Sequence, residues 1–356
     1  MISIADKVLS GKRIDQSDGN YLFEKASISY LGVLANYIRE TKNGDYTYFN
    51  RNFHIEPTNI CIYQCKFCAF SRKMNEEGSW EFSIDEIVNK VSAYKGQLIT
   101  EVHIVGGVHP RRDLHYYGQM LRAIKKTIPE IHIKAFTAVE LDYMISKAGM
   151  SLREGLLVLK DYGLDSIPGG GAEILDADIR KQLCHEKATA DKWLVVHRTA
   201  HEVGLKSNAT ILYGHIEKYH HRISHLDQIR SLQDDTKGFN AFIPLKYRNE
   251  NNFLSELSEI NTMEDLRNYA VTRIYLDNVD HIKSYWPMIG KDIAQLSLSF
   301  GVDDMDGTID DSTKIYSMAG VKQTNKMSAG EITALIKQAK RIPVERDTLY
   351  HIIKIY

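Results

Sequence analysis

Asn52-Phe53-His54-Ile55-Glu56-Pro57-Thr58-Asn59-Ile60-Cys61-Ile62-Tyr63-Gln64-Cys65-Lys66-Phe67-Cys68 is the stretch on which the fold turns. Residues 52–58 have strand character, and three thiols follow at C-x3-C-x2-C spacing, with Phe67 directly before the last. Only one other cysteine, Cys184, exists in the chain, far downstream. Three clustered thiolates, Cys61, Cys65 and Cys68, can hold three irons of a 4Fe–4S cluster, whereas a closed cluster takes four cysteines. One iron is then open, which a reactive site needs and an electron carrier avoids. The alternative from another class is a non-catalytic zinc or electron-transfer protein, its metal completed by Cys184 or a histidine. A disulfide framework is not expected: a chain of this length needs no staples, and four cysteines in 356 residues suit a reducing compartment.

Outward from this loop, strand-like runs alternate with helical stretches, the pattern of βα units. Strands are expected at 52–58, 101–105, 132–137, 164–167, 206–212 and 239–244, then near 281–285 and 296–300. Helices are expected from Ser83, with Glu86 closing a capping box, and over 114–127, 189–203 and 263–277, with another opened by Ser151 and Glu154. Eight strands of this kind predict an α/β fold, a (β/α)8 TIM-type barrel with helical N- and C-terminal extensions. The divisions expected are 1–48 for a helical N-terminal extension, 49–305 for the barrel and 306–356 for a C-terminal extension packing on it. Chemistry in such barrels sits at the C-terminal ends of the strands, and the cysteine loop follows the first strand.

Other strand ends carry polar residues or glycines. Gly106 and Gly107 follow the second strand, either for close approach of a ligand to backbone or for a tight turn; His109, Arg111 and Arg112 come next. Thr137 and Glu140 follow the third strand, and Glu140 either binds a ligand or caps the next helix. Pro168-Gly169-Gly170-Gly171 leads to Glu173, where a carboxylate contacts substrate or opens a helix. Asn208 and Thr210 share one face of the fifth strand, facing either a ligand or a packed lumen. His215, His220, His221 and His225 have no common spacing for a single metal and read as a solvated segment. Asp303-Asp304-Met305-Asp306-Gly307 lacks the further ligands of a calcium loop and reads as a substrate-shaping loop.

Apolar content of 43%, charged content of 26% and a formal net charge of −1 describe an ordinary globular composition and give no basic field for nucleic acid. No apolar run approaches a membrane span, and the start, MISIADKVLSGKRID, reads as a short amphipathic helix rather than a secretion signal. A cytoplasmic location is the expectation.

The cysteine loop after one strand and the glycine pair after the next resemble the radical S-adenosylmethionine superfamily. Four stretches narrow the resemblance to its menaquinone futalosine-pathway branch: HIEPTNIC at 54–61, GGVHP at 106–110, KAFTAVE at 134–140 and PGGGAEI at 168–174. The resemblance covers about residues 50–320 and implies one 4Fe–4S cluster, S-adenosylmethionine as a consumed co-substrate, and an electron donor such as flavodoxin or ferredoxin. It implies that Phe67, Gly106, Gly107, Thr137 and Glu140 bind the cofactor, and that Glu173 and His109 act in catalysis. Arg111, Arg112 and Asn208 would meet the substrate. The tail, 300–308 and 315–320, resembles the type that adds the adenosyl radical to the enol ether of 3-[(1-carboxyvinyl)oxy]benzoate with loss of a carboxyl group. The other type of this branch abstracts hydrogen from a nucleoside and closes a spiro ring. One departure stands out: many members carry Gly-Gly-Glu after the second strand, and Val108 occupies the third place here. Backbone carbonyls or Glu140 would then hold the methionine amino group.

Overall fold

The computed structural model describes residues 3–311, 315–320 and 326–356. Met1 and Ile2 of the expected N-terminal helix, and parts of the expected C-terminal extension, lie outside the described residues. Three helices come first: α1 (Ile4–Leu9), α2 (Gln16–Lys25) and α3 (Ile28–Asn43). Each starts where a side-chain oxygen of Ser3, Asp15 or Ser27 accepts an otherwise orphaned backbone N–H. They pack outside the barrel, with α2 so close that a methyl on Gly19 would stand 2.6 Å from Ile223.

A strand interrupted at Arg51 follows, as β1 (Tyr46–Asn50) and β2 (Asn52–Ile55). Next come α4 (Ile84–Ser92), β3 (Glu101–Ile104), α5 (Leu114–Thr127), β4 (His132–Ala135), α6 (Ala138–Lys147), α7 (Leu152–Asp161) and β5 (Ser166–Ile167). The chain continues through α8 (Ala177–Cys184), α9 (Ala190–Glu202), β6 (Lys206–Tyr213), α10 (Tyr219–Thr236), β7 (Phe239–Lys246), α11 (Thr262–Tyr275) and β8 (His281–Ile282). It ends with α12 (Trp286–Ile289), α13 (Lys291–Ser297), β9 (Asp304–Gly307), β10 (Asp310–Asp311), α14 (Ile315–Met318), α15 (Ala329–Gln338), β11 (Ile342–Arg346) and β12 (Ile352–Ile355).

Strands β2 to β8 neighbour one another in chain order, all parallel, and β10 joins the free edge of β2. At the other edge Lys283, just past β8, bridges Asp304 in parallel, and β9 also pairs with β1. The run 304–311 therefore fills the gap between β8 and β1–β2 and closes the ring. The expected barrel is present, but its last strand is not the expected 296–300. That segment finishes α13 and a turn, because its carbonyls at Gln295, Leu296 and Ser297 are taken by N–H groups three to five residues on. The helix expected just beyond Glu140 is present as α6, with Glu140 in its capping box.

Strands β11 and β12 extend β1 and β9 into a second sheet of order β12-β11-β1-β9. Buried ion pairs fasten it: Arg346 grips Asp304 at 2.6 and 2.8 Å, and Arg273 pairs with Asp303. Among the described residues no helix is long and apolar enough to cross a membrane.

Candidate active site

Directly after β2 the chain leaves the barrel mouth as the cysteine loop, and backbone hydrogen bonds fix its course. Cys61 N–H donates to Arg72 O at 2.9 Å and Ile62 N–H to Val108 O at 3.0 Å. Lys66 N–H donates to Leu183 O at 2.8 Å, tying the loop to the end of α8. The paired glycines after β3 exist for this loop. A methyl on Gly107 would stand 2.2 Å from the Ile60 carbonyl oxygen, and one on Gly106 would stand 2.8 Å from that of Thr58. The third place of that motif works through its backbone: Val108 N–H and Tyr63 N–H both point at the Cys61 sulfur, each at 3.4 Å.

Cys61, Cys65 and Cys68 line one cavity of about 360 Å³ that reaches from the loop into the barrel lumen. Burial raises the Cys61 thiol pKa, and the two N–H groups oppose that shift. Cys184, on α8, does not line the cavity. It shares a hydrogen bond with Cys65, and this together with burial holds the Cys65 thiol well above its ordinary pKa. Among the described residues no group of three His, Cys, Asp or Glu side chains is placed to hold a single metal ion. A cluster asks something different, one thiolate for each of three irons. Three thiols on one cavity, one of them already receiving two N–H donors, fit an iron–sulfur group with an open corner.

Beside the thiols, Phe67 lines the cavity with the Lys187 ammonium 5.4 Å from its ring centre. Lys187 is ion-paired with Glu173; burial works against its charge, but Glu173 and the nearby thiols raise its pKa. Glu173 does not open a helix. It sits in a left-handed turn at φ 48°, and α8 begins instead behind its Asp176 cap.

Thr137 and Glu140 form a capping box at the start of α6. One Glu140 carboxylate oxygen accepts from Thr137 N–H and Oγ1, both at 2.8 Å, and the other accepts from Gly106 N–H at 3.1 Å. The capping reading holds, and Glu140 also lines the cavity. Burial pushes its carboxyl pKa up to about 7, partly offset by these donors.

Asn208 lines the cavity as well, from β6, and so does Thr210, whose hydroxyl donates to Gly169 O at 2.7 Å. Three expected residues do not reach it. His109 turns inward to the loop backbone, its Nδ1 accepting from Arg111 and Arg112 N–H at 3.2 Å. Arg112 is committed to Glu81 at 3.1 Å and Phe82 O at 2.7 Å, and Arg111 is exposed. The cavity's cations are others: Lys134, Lys187, Arg248 and Lys283.

Two family descriptions match. Residues 55–229 match the Radical SAM superfamily, and residues 236–356 match the CofH/MqnC C-terminal region. A protein of Thermus thermophilus named aminodeoxyfutalosine synthase is 44% identical over 100% of this chain and 96% of its own. One of the same name from Streptomyces coelicolor is 40% identical over 99% of this chain and 94% of its own. A cyclic dehypoxanthine futalosine synthase of S. coelicolor is 35% identical over 99% of this chain and 89% of its own. In fold, the chain superposes on methylornithine synthase with TM-score 0.74, covering 95% of each chain at 17% identity.

Proposed function

This chain belongs to the Radical SAM superfamily, and from that premise we propose that it is an enzyme of aminodeoxyfutalosine synthase type in menaquinone biosynthesis. It would join the adenosyl group of S-adenosylmethionine to 3-[(1-carboxyvinyl)oxy]benzoate, with loss of a carboxyl group, to give 6-amino-6-deoxyfutalosine. The observation that carries this reading is the 44% identity, over the whole chain, to a protein of that name. The relative named for cyclic dehypoxanthine futalosine is more distant at 35%.

Cys61, Cys65 and Cys68 would hold three irons of a 4Fe–4S cluster. When bound and reduced, such a cluster supplies the electron that opens a carbon–sulfur bond of S-adenosylmethionine and frees a 5′-deoxyadenosyl radical. The chain's own residues bind and orient. Glu140 offers its remaining carboxylate lone pairs to the methionine ammonium, the task that Glu of Gly-Gly-Glu performs elsewhere and Val108 cannot. Phe67 offers an aromatic face to the adenine. Glu173 neutralises Lys187 beside the thiols, so that wall of the cavity carries no unpaired charge. Apolar walls from Val105, Ile243, Leu245 and Met288 keep water from the reacting centre. The electron would come from a flavodoxin or ferredoxin of the cytoplasm.

Anaerobic iron and sulfide analysis tests the ligation. About four irons and four sulfides per chain are expected, and Cys65→Ala should lose both the cluster and turnover. One zinc with no sulfide would instead establish the non-catalytic alternative.

A further inference from the structure

Barrel lumens of this kind ordinarily pack branched apolar side chains, yet the inner end of this cavity is polar. His103 on β3, Lys134 on β4, Asn208 on β6 and Lys283 beyond β8 all line it. Alternation along each strand turns these positions inward while Val102, Ile133 and Ala209 face the helices. Two of the groups are cations with carboxylate partners of unequal closeness. Lys134 Nζ lies 2.6 Å from Glu101, which also accepts from Thr348 at 2.7 Å, so that pair is closed. Lys283 Nζ lies 3.2 Å from Asp306 and has two further N–H donors. Asn208 is only 4% exposed, and neither its amide nor the His103 ring has a hydrogen-bond partner among the described residues. An amide that opens onto a cavity and makes no hydrogen bond to the protein is free to pair with a ligand there.

A ligand with two carboxylates, one on its reacting enol ether and one across its ring, needs donors at both ends. The reacting end belongs at the cysteine loop, at the mouth of the barrel. Its far end then enters the lumen, away from Arg111 and Arg112. We propose that the lumen floor is a carboxylate subsite in which Lys283 and Asn208 donate to the ring carboxylate of the substrate, with His103 packed beside it. The subsite fixes which end of the substrate meets the adenosyl carbon. This rests on the function proposed above and assigns that function its specificity-determining residues.

The test compares the dicarboxylate with 2-phenoxyacrylate, which lacks the ring carboxylate, on full-length reconstituted enzyme. Wild type should favour the dicarboxylate in kcat/KM, and Lys283→Met should shrink that preference by about 10- to 100-fold, the worth of a hydrogen bond to a charged group. Calorimetric binding of the dicarboxylate without S-adenosylmethionine should weaken by a similar factor, and Asn208→Ala should move both readouts the same way. Where Lys283→Met fails to fold because Asp306 loses its partner, the double variant Lys283→Met/Asp306→Asn keeps the floor neutral and serves instead. A preference and a binding constant unchanged in these variants would overturn the subsite. Failure of wild type to turn over either compound, with the dicarboxylate still bound through Lys283, would count against the reaction and leave the subsite standing.

Discussion

In the proposed assignment Glu140 sets the pH response of the cofactor site. Its carboxyl pKa is raised by burial to about 7, so it is largely neutral below that pH and ionised above it. Only the ionised form attracts an ammonium. S-adenosylmethionine affinity should therefore fall as pH drops through about 7, approaching about tenfold per pH unit for a single proton. Glu140→Gln should bind more weakly and show a flat profile, as read by equilibrium titration of reconstituted protein. A flat wild-type profile would contradict the assignment. The reach of sequence reading at this scale differs from residue to residue. The three thiols are legible as one group because their close spacing alone brings them to a common cavity. His109, Arg111 and Arg112 are not, because residue type near a strand end does not say which way the turn carries it. Here the turn delivers Arg112 to Glu81 and Phe82. Lys134 and Lys283 went unread, although the alternation Glu101-x-His103 and His132-x-Lys134 is visible and puts charge on one strand face.

The eighth strand shows how far patterning goes at the scale of elements. Asp304-Met305-Asp306-Gly307 has the composition of a loop, poor in the β-branched and aromatic residues that strands favour. The apolar 296–300 looked the better strand. What makes 304–311 a strand is tertiary: Asp304 is fully buried against Arg346 of β11, and Asp306 lies near Lys283. Removing one partner of such a buried pair leaves the other charge uncompensated, at a cost of about 3–5 kcal/mol. Arg346→Met should lower the urea midpoint accordingly, and Asp304→Leu combined with Arg346→Met should recover most of the loss. Equal loss in the single and double variants would show that the pair does not hold this strand. Capped helices were the most legible elements, since Ser83 with Glu86 and Ser151 with Glu154 form the capping boxes that their spacing announces.

Taken whole, the molecule is one parallel ring with its chemistry gathered at one end. The N-terminal helices lie against α10 and α11, and the second sheet continues the strands that close the ring. Among the described residues the N-terminal helices do not line the cavity, whereas the second sheet reaches it through Asp306 of β9, and Ile315 of α14 also lines it. The three cysteine thiols, the Glu140 carboxylate and the polar lumen floor thus face a single cavity, in which the proposed reaction joins two small molecules. Joining distinguishes this reading from its nearest alternative, in which the adenosyl radical only takes a hydrogen atom and leaves. The decisive measurement is anaerobic turnover with S-adenosylmethionine labelled in its adenosyl group and 3-[(1-carboxyvinyl)oxy]benzoate. Label recovered in a condensed nucleoside product, with unlabelled methionine released, is the predicted result; label recovered only as free 5′-deoxyadenosine would contradict it.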